Sequence, residues 1–239
     1  MVRWMMRLLL VGCCLATMNV ARGQGVDVTA KVALQEGQRT DGASKKNEVG
    51  AVVVWLSPLE KLPSRPAEPH TPYRLVQKDK QFNPHLLVVP TGSEVEFPNQ
   101  DPFFHNVFSL FNGKRFDLGL YESGTSRFVK FDREGVSYIF CNIHPEMGAV
   151  VLTLSTPFYA IANASGDVVI HNVPPGNYRL QLWSERAKPV NQTDFPREVR
   201  VSPGATNLGT IQMGAAASPL KDHKNKFGED YRRVPGSPY

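Results

Sequence analysis

A chain of 239 residues is long enough for one large β-domain or two modest ones, each with its own core. Hydrophobic residues at 41% and charged residues at 21% are ordinary for a globular protein, and 19 glycines with 19 prolines favour short strands and many turns over long helices. The formal net charge of +5 is mild and spread out, which excludes the basic stripe with interleaved aromatics that nucleic-acid binding needs.

The first 23 residues read as a separate piece. Arg3 and Arg7 precede a mostly apolar run over 8–20, and Ala21-Arg22-Gly23 supplies small residues where a signal peptidase reads them. This predicts a secretory signal cleaved before Gln24, too short to span a bilayer as a mature helix. Leu10-Val11-Gly12-Cys13 resembles the box that directs lipid attachment, so anchoring at Cys13 is the alternative to simple release. The protein is expected in the periplasm or outside the cell, and no later stretch is long and apolar enough to enter a membrane.

Strand after strand is predicted beyond residue 26. Residues 26–34 alternate, with Val26, Val28, Ala30, Val32 and Leu34 on one face, whereas 50–56 is a continuous apolar run suited to a strand buried on both faces. Between them 35–48 is polar and forms a loop. The segment 57–72 holds five prolines and is irregular. Short strands follow at 73–76, 85–89, 94–97, 105–110, 115–118, 125–131, 136–140 and 149–155, separated by turns such as Asn83-Pro84, Asn99-Gln100-Asp101-Pro102 and Asn112-Gly113. No window has helical periodicity, so an all-β Greek-key sandwich is expected over 24–155. Thr156-Pro157 opens a second unit over 156–213, with five strands at 158–163, 168–170, 178–183, 197–201 and 205–213. The remaining 214–239 is polar, charged and expected to be a mobile tail.

Cys13 and Cys14 leave with the signal, so the mature chain keeps one thiol, Cys141. A single unpaired cysteine is unusual in an oxidising compartment; it is either buried and inert or bound to something. Its neighbours favour the second. In Cys141-Asn142-Ile143-His144-Pro145-Glu146-Met147 a thiol, an imidazole and a thioether recur at three-residue intervals between two predicted strands. An extended chain would aim them apart; a tight loop around Pro145 folds them about one point. Together they select a soft or borderline metal, and two histidines, one thiolate and a weak axial methionine suit copper. The second histidine must come from elsewhere, and His105, opening the strand after Phe103-Phe104, is the best candidate. Alone, His105 would read as a core histidine and Met147 as a gap-filler; with the lone thiol they read as ligands. His85 is read as structural, and His70, His171 and His223 have no cysteine or second histidine at ligand spacing.

Asn99-Gln100-Asp101 through His105-Asn106-Val107, with the Cys-x-x-His-x-x-Met loop at 141–147, resembles the cupredoxins, in particular the amicyanin and plastocyanin-like branch. That resemblance implies one copper ion bound by His105 and His144 through Nδ1, by the Cys141 thiolate and by a distant axial Met147. It also implies that Asn106 ties the first histidine's strand to the ligand loop near Asn142, and that His144 lies near the surface inside an apolar rim of Phe103, Phe104 and Pro145. The second unit, with Val173-Pro174-Pro175-Gly176-Asn177-Tyr178, resembles the carboxypeptidase regulatory-like β-sandwich, which implies packing or interaction without catalysis.

The function expected is one-electron transfer with a transient redox partner. Four protein ligands leave no open position for a substrate, and the chain holds no Gly-x-Ser-x-Gly, paired zinc histidines or phosphate loop, so no enzyme is expected. The alternatives are a periplasmic copper store or chaperone, which would want exchangeable Met- or His-rich runs that the chain lacks, and a structural envelope protein stapled by copper.

Overall fold

The computed structural model describes residues 25–34, 51–62, 72–110, 113–221 and 223–231. The expected signal with Cys13, the loop over 35–48, most of the proline-rich segment and His70 lie outside the described residues. Strands dominate, as the turn density requires. In chain order they are β1 (Val26–Leu34), β2 (Val52–Pro58), β3 (Tyr73–Arg74), β4 (Val76–Lys78), β5 (Gln81–Asn83), β6 (Leu86–Pro90), β7 (Ser93–Pro98), β8 (His105–Ser109) and β9 (Phe116–Tyr121). Then come β10 (Ser126–Phe131), β11 (Gly135–Cys141), β12 (Gly148–Leu154), β13 (Tyr159–Ile161), β14 (Asp167–Val173), β15 (Gly176–Ser184), β16 (Ala187–Pro189), β17 (Arg197–Val201) and β18 (Thr206–Ala215).

The strands build two sandwiches. One comprises the five-stranded sheet β6-β12-β11-β8-β9 and the three-stranded sheet β10-β7-β3, with the β4–β5 hairpin beside them. Between its sheets lies a core that includes Leu75, Phe97, Val107, Phe131, Ile139, Cys141 and Met147. The other stacks β14-β1-β18-β16 on β13-β2-β15-β17 around Val28, Val54, Leu56, Ile170, Tyr178, Leu180 and Ile211.

Two expectations about organisation are corrected. Their place in the chain puts β1 and β2 in the first unit, but β1 pairs with β14 and β18, and β2 pairs with β13 and β15. The sandwich over 72–155 is thus inserted between β2 and β13, and the second unit is closed by strands from both sides of the insertion. Burial drives this. The apolar run of β2 is enclosed on both faces, with Val52, Val54 and Leu56 in the second core and Val53 and Trp55 against Val88, Leu152 and Leu154 of the inserted sandwich. The second correction concerns the tail. Strand β18 runs to Ala215, and the described residues beyond it pack onto the first sandwich and do not hang free.

Candidate metal centre

Strands β8 and β11 are antiparallel neighbours in which Cys141 pairs with Val107, so His105 at the start of β8 lies close to the end of β11. Alternation along β11 turns Ile139 and Cys141 into the core and Phe140 to the outer face. Beyond Cys141 the chain closes on itself. The Met147 N–H donates to the His144 carbonyl at 3.1 Å, and the Cys141 N–H to the Met147 carbonyl at 3.3 Å. The loop then rejoins the sheet at Gly148, the first residue of β12.

This geometry brings the expected residues together. Cys141 Sγ lies 3.6 Å from His105 Nδ1 and 3.5 Å from His144 Nδ1, and the two Nδ1 atoms are 3.1 Å apart. A point equidistant from all three is about 2.0 Å from each, the length of a first-row metal–imidazole bond. All three residues are buried, and among the described residues they form the group of histidines, cysteines and carboxylates able to hold a metal ion. Met147 is buried in the same core cluster as Cys141.

The electrostatics fit a bound cation. Burial pushes the Cys141 thiol up, while backbone N–H groups of Asn106, Ile143 and His144 pull the other way by favouring the thiolate. Burial, then the neighbouring His105, pulls His144 down to about 4. Burial likewise lowers His105 against the opposing pull of Asp101. Neutral rings with free Nδ1 lone pairs are the metal-binding form. Two Nδ1 atoms at 3.1 Å cannot both carry a proton, and a thiolate beside them needs positive charge.

Asp101 is the functional residue that sequence reasoning misses, because in the sequence it reads as an ordinary turn residue. Its buried carboxylate accepts the His105 Nε2 proton at 2.8 Å, which fixes the tautomer and leaves Nδ1 facing the site. The same carboxylate accepts the backbone N–H of Asp79 at 2.6 Å and of Lys80 at 3.0 Å. Those two residues form the β4–β5 turn with φ of 54° and 53°, so both amides point one way. Burial raises the Asp101 carboxyl, but His105 and the two amides outweigh it and hold it below its ordinary value. The only hint in the sequence is a carboxylate four residues ahead of the ligand histidine.

Two details depart from expectation. Asn106 does not reach Asn142 directly; its amide donates to Asp117 at 2.7 Å, Asp117 accepts Lys226 Nζ at 2.7 Å, and the Lys226 N–H donates to Asn142 Oδ1 at 2.9 Å. The direct tie is made by the Asn106 backbone N–H, which bonds the Cys141 sulfur next to Asn142, and the side-chain route through β9 and the C-terminal segment adds to it. His144 is not at the surface. It is 2% exposed, its Nε2 is buried, and the Phe103 ring packs 5.5 Å away, while Phe104, next in the chain to Phe103, and Pro145, next in the chain to His144, are exposed. Of the remaining described histidines, His85 pairs with Glu185 at 2.6 Å, His171 with Asp27 at 3.0 Å, and His223 stacks on Phe140; none joins the cluster.

No family model and no curated protein matches the chain. Solved structures do. A purple cupredoxin from Nitrosopumilus maritimus is 23% identical over 34% of this chain and 99% of its own, with a TM-score of 0.32. Amicyanin from Paracoccus versutus is 19% identical over 36% of this chain and 85% of its own, with a TM-score of 0.33. A copper-containing nitrite reductase from Thermus scotoductus is 22% identical over 41% of this chain but only 25% of its own, with a TM-score of 0.35. Strand topology and the buried cluster give the architecture: among the described residues the chain is built of strands, and a β-sandwich carrying His105, Cys141 and His144 is joined to a second β-unit.

Proposed function

We propose that this chain is a type 1 copper protein that carries single electrons between transient protein partners in the periplasm. The observation that carries this is the convergence of one cysteine sulfur and two Nδ1 atoms within 3.6 Å among buried residues. His105, Cys141 and His144 would hold one copper ion, with the thioether of Met147 as a further, weak donor, a set that selects copper over harder metals. Copper held there supplies a one-electron couple.

The residues around it do the rest. Asp101 pins His105, the amides of Asn106, Ile143 and His144 steady the sulfur, and the short loop hydrogen bonds fix His144 and Met147 to Cys141. Ligands locked in this way move little when the charge at their centre changes, and burial keeps out water that would otherwise reorganise. Four protein ligands leave no position for a substrate, which fits a carrier and not an enzyme. The exposed Phe104 and Pro145, each next in the chain to a buried aromatic ring of the site, suit brief docking, in which such encounters bury less than about 1,200 Å². The second sandwich serves packing, without chemistry of its own.

The test is the visible and paramagnetic-resonance spectrum of the full chain loaded with Cu(II). An intense thiolate-to-copper absorption is expected, altered in Met147→Gln and largely lost in Cys141→Ser. A loaded wild-type chain without that absorption would sink the proposal. Ready loss of the copper to a mild chelator would favour storage or delivery, which a fully buried ligand set disfavours.

A further inference from the structure

The outer face of the five-stranded sheet is covered in a way that the metal site does not explain. Phe108 and Phe140 point away from the core that holds Cys141, yet they are 0% and 1% exposed. The second sandwich meets this face through Val53 and Trp55, which cluster with Val88 of β6 and Leu152 and Leu154 of β12. Phe108 packs against Phe140, and over Phe140 of β11 lies the C-terminal segment. The His223 ring stacks on Phe140 with centroids 4.0 Å apart and planes at 19°.

The segment does more than cover. The Tyr231 hydroxyl donates to the main-chain carbonyl of Cys141 at 2.8 Å. The Lys226 N–H donates to the side chain of Asn142 at 2.9 Å, and Lys226 Nζ reaches Asp117 on β9 at 2.7 Å. Leu220 packs over Gly148, where the ligand loop ends. Both ends of the loop are therefore gripped from outside, at Cys141–Asn142 and at Gly148. The grip has its own anchorage. His223 Nε2 lies 3.0 Å from the Tyr231 hydroxyl, and Ser218 bonds to the buried Glu185 of the second sandwich just after β18 ends.

We propose that residues 218–221 and 223–231 are a strap, delivered by the second sandwich, that positions the ligand loop and restrains its opening, so that both copper loss and exposure of the Cys141 thiol are slowed. This deepens the copper proposal and depends on it. The second sandwich thereby acquires a role at the metal site, since β18 ends where the strap must start. A ligand loop with free ends opens locally at small cost, and each hydrogen bond that must break first lowers the open population.

Two variants of the full chain test this, Tyr231→Phe, which deletes one hydroxyl, and a chain ending at Lys221, which deletes most of the strap. Two rates are read. One is copper loss from the loaded protein to excess chelator. The other is alkylation of Cys141 in the metal-free protein, followed on the peptide that contains it. Tyr231→Phe is expected to speed both by about three- to tenfold, the worth of one hydrogen bond. The shortened chain is expected to exceed that, with a changed thiolate-to-copper absorption. If it fails to fold, Tyr231→Phe decides alone. Wild-type rates in Tyr231→Phe overturn the strap, whatever copper does. A wild-type chain that takes up no copper while Tyr231→Phe still speeds alkylation overturns the copper proposal and reduces the strap to a guard on the thiol.

Discussion

At the scale of single residues, the ligands and their supports differ in how they are encoded. Cys141, His144 and Met147 lie within seven residues, so a tight loop is enough to converge them and their spacing is legible in the sequence. His105 is 36 residues from Cys141 and joins the cluster only because β8 returns beside β11. Asp101 depends on more still. Its role needs the β4–β5 turn to present two amides at the place where the carboxylate meets His105. That turn adopts left-handed backbone at Asp79 and Lys80 without a glycine to announce it. Because Asp101 orients a ligand through its far nitrogen, Asp101→Ala should weaken copper binding by about 10- to 100-fold. Asp101→Asn, which still accepts the Nε2 proton but lacks the charge, should lose less affinity and shift the reduction potential upward, since a nearby negative charge stabilises the oxidised ion. Chelator competition and potentiometry on the three proteins check both effects. Equal potentials in wild type and Asp101→Asn would show that the carboxylate acts only as a hydrogen-bond acceptor.

At the scale of elements, most strands are readable because each carries alternation or an apolar run between turn residues. Strand β17 falls where the pattern places it, at Arg197–Val201, and β7, β10, β11 and β12 differ only at their ends. The strands that escape a pattern are short ones, β5 and β16. Pairing is less legible than existence. Nothing local to β1 says that it lies parallel to β18, some 180 residues later, because the choice is made by which sandwich can bury Val28, Ala30 and Val32. The continuous apolar run of β2 does announce burial on both faces, though not against which partners. Trp55, on its outward face, fills the contact with Leu152 and Leu154. Trp55→Ala should therefore cost about 3–5 kcal/mol, as buried Trp truncations do. Thermal unfolding followed at once by visible absorption and far-ultraviolet circular dichroism should then resolve two transitions where wild type has one. Coincident transitions in the variant would mean that the two sandwiches are held together elsewhere.

At the scale of the whole molecule, insertion makes the second sandwich a clasp around the first, joined through the apolar contact at Trp55, the C-terminal strap and a polar latch at His85 and Glu185. The latch is half legible: His85 can be read as structural, but its partner lies 100 residues away. His85 Nε2 and Glu185 Oε2 are 2.6 Å apart, Ser218 bonds to the other carboxylate oxygen, and Arg186 Nε lies 3.8 Å from it. The hydrogen bond to Glu185 raises His85 above its ordinary 6.5, and the same bond holds Glu185 below its ordinary 4.5. A raised histidine adds stability that is complete below about 6.5 and disappears as pH climbs through the raised value. A depressed carboxylate adds stability that is present above about 4.5 and disappears as pH falls through the depressed value. The latch is therefore strongest between these limits. Because the imidazole is 53% exposed, solvent screening keeps its contribution modest. In urea unfolding at pH 5.5, His85→Ala should be measurably less stable than wild type, and the gap should narrow as the pH climbs through the raised value of His85. A gap that stays constant across that range would assign His85 a packing role and remove pH from the coupling between the two sandwiches.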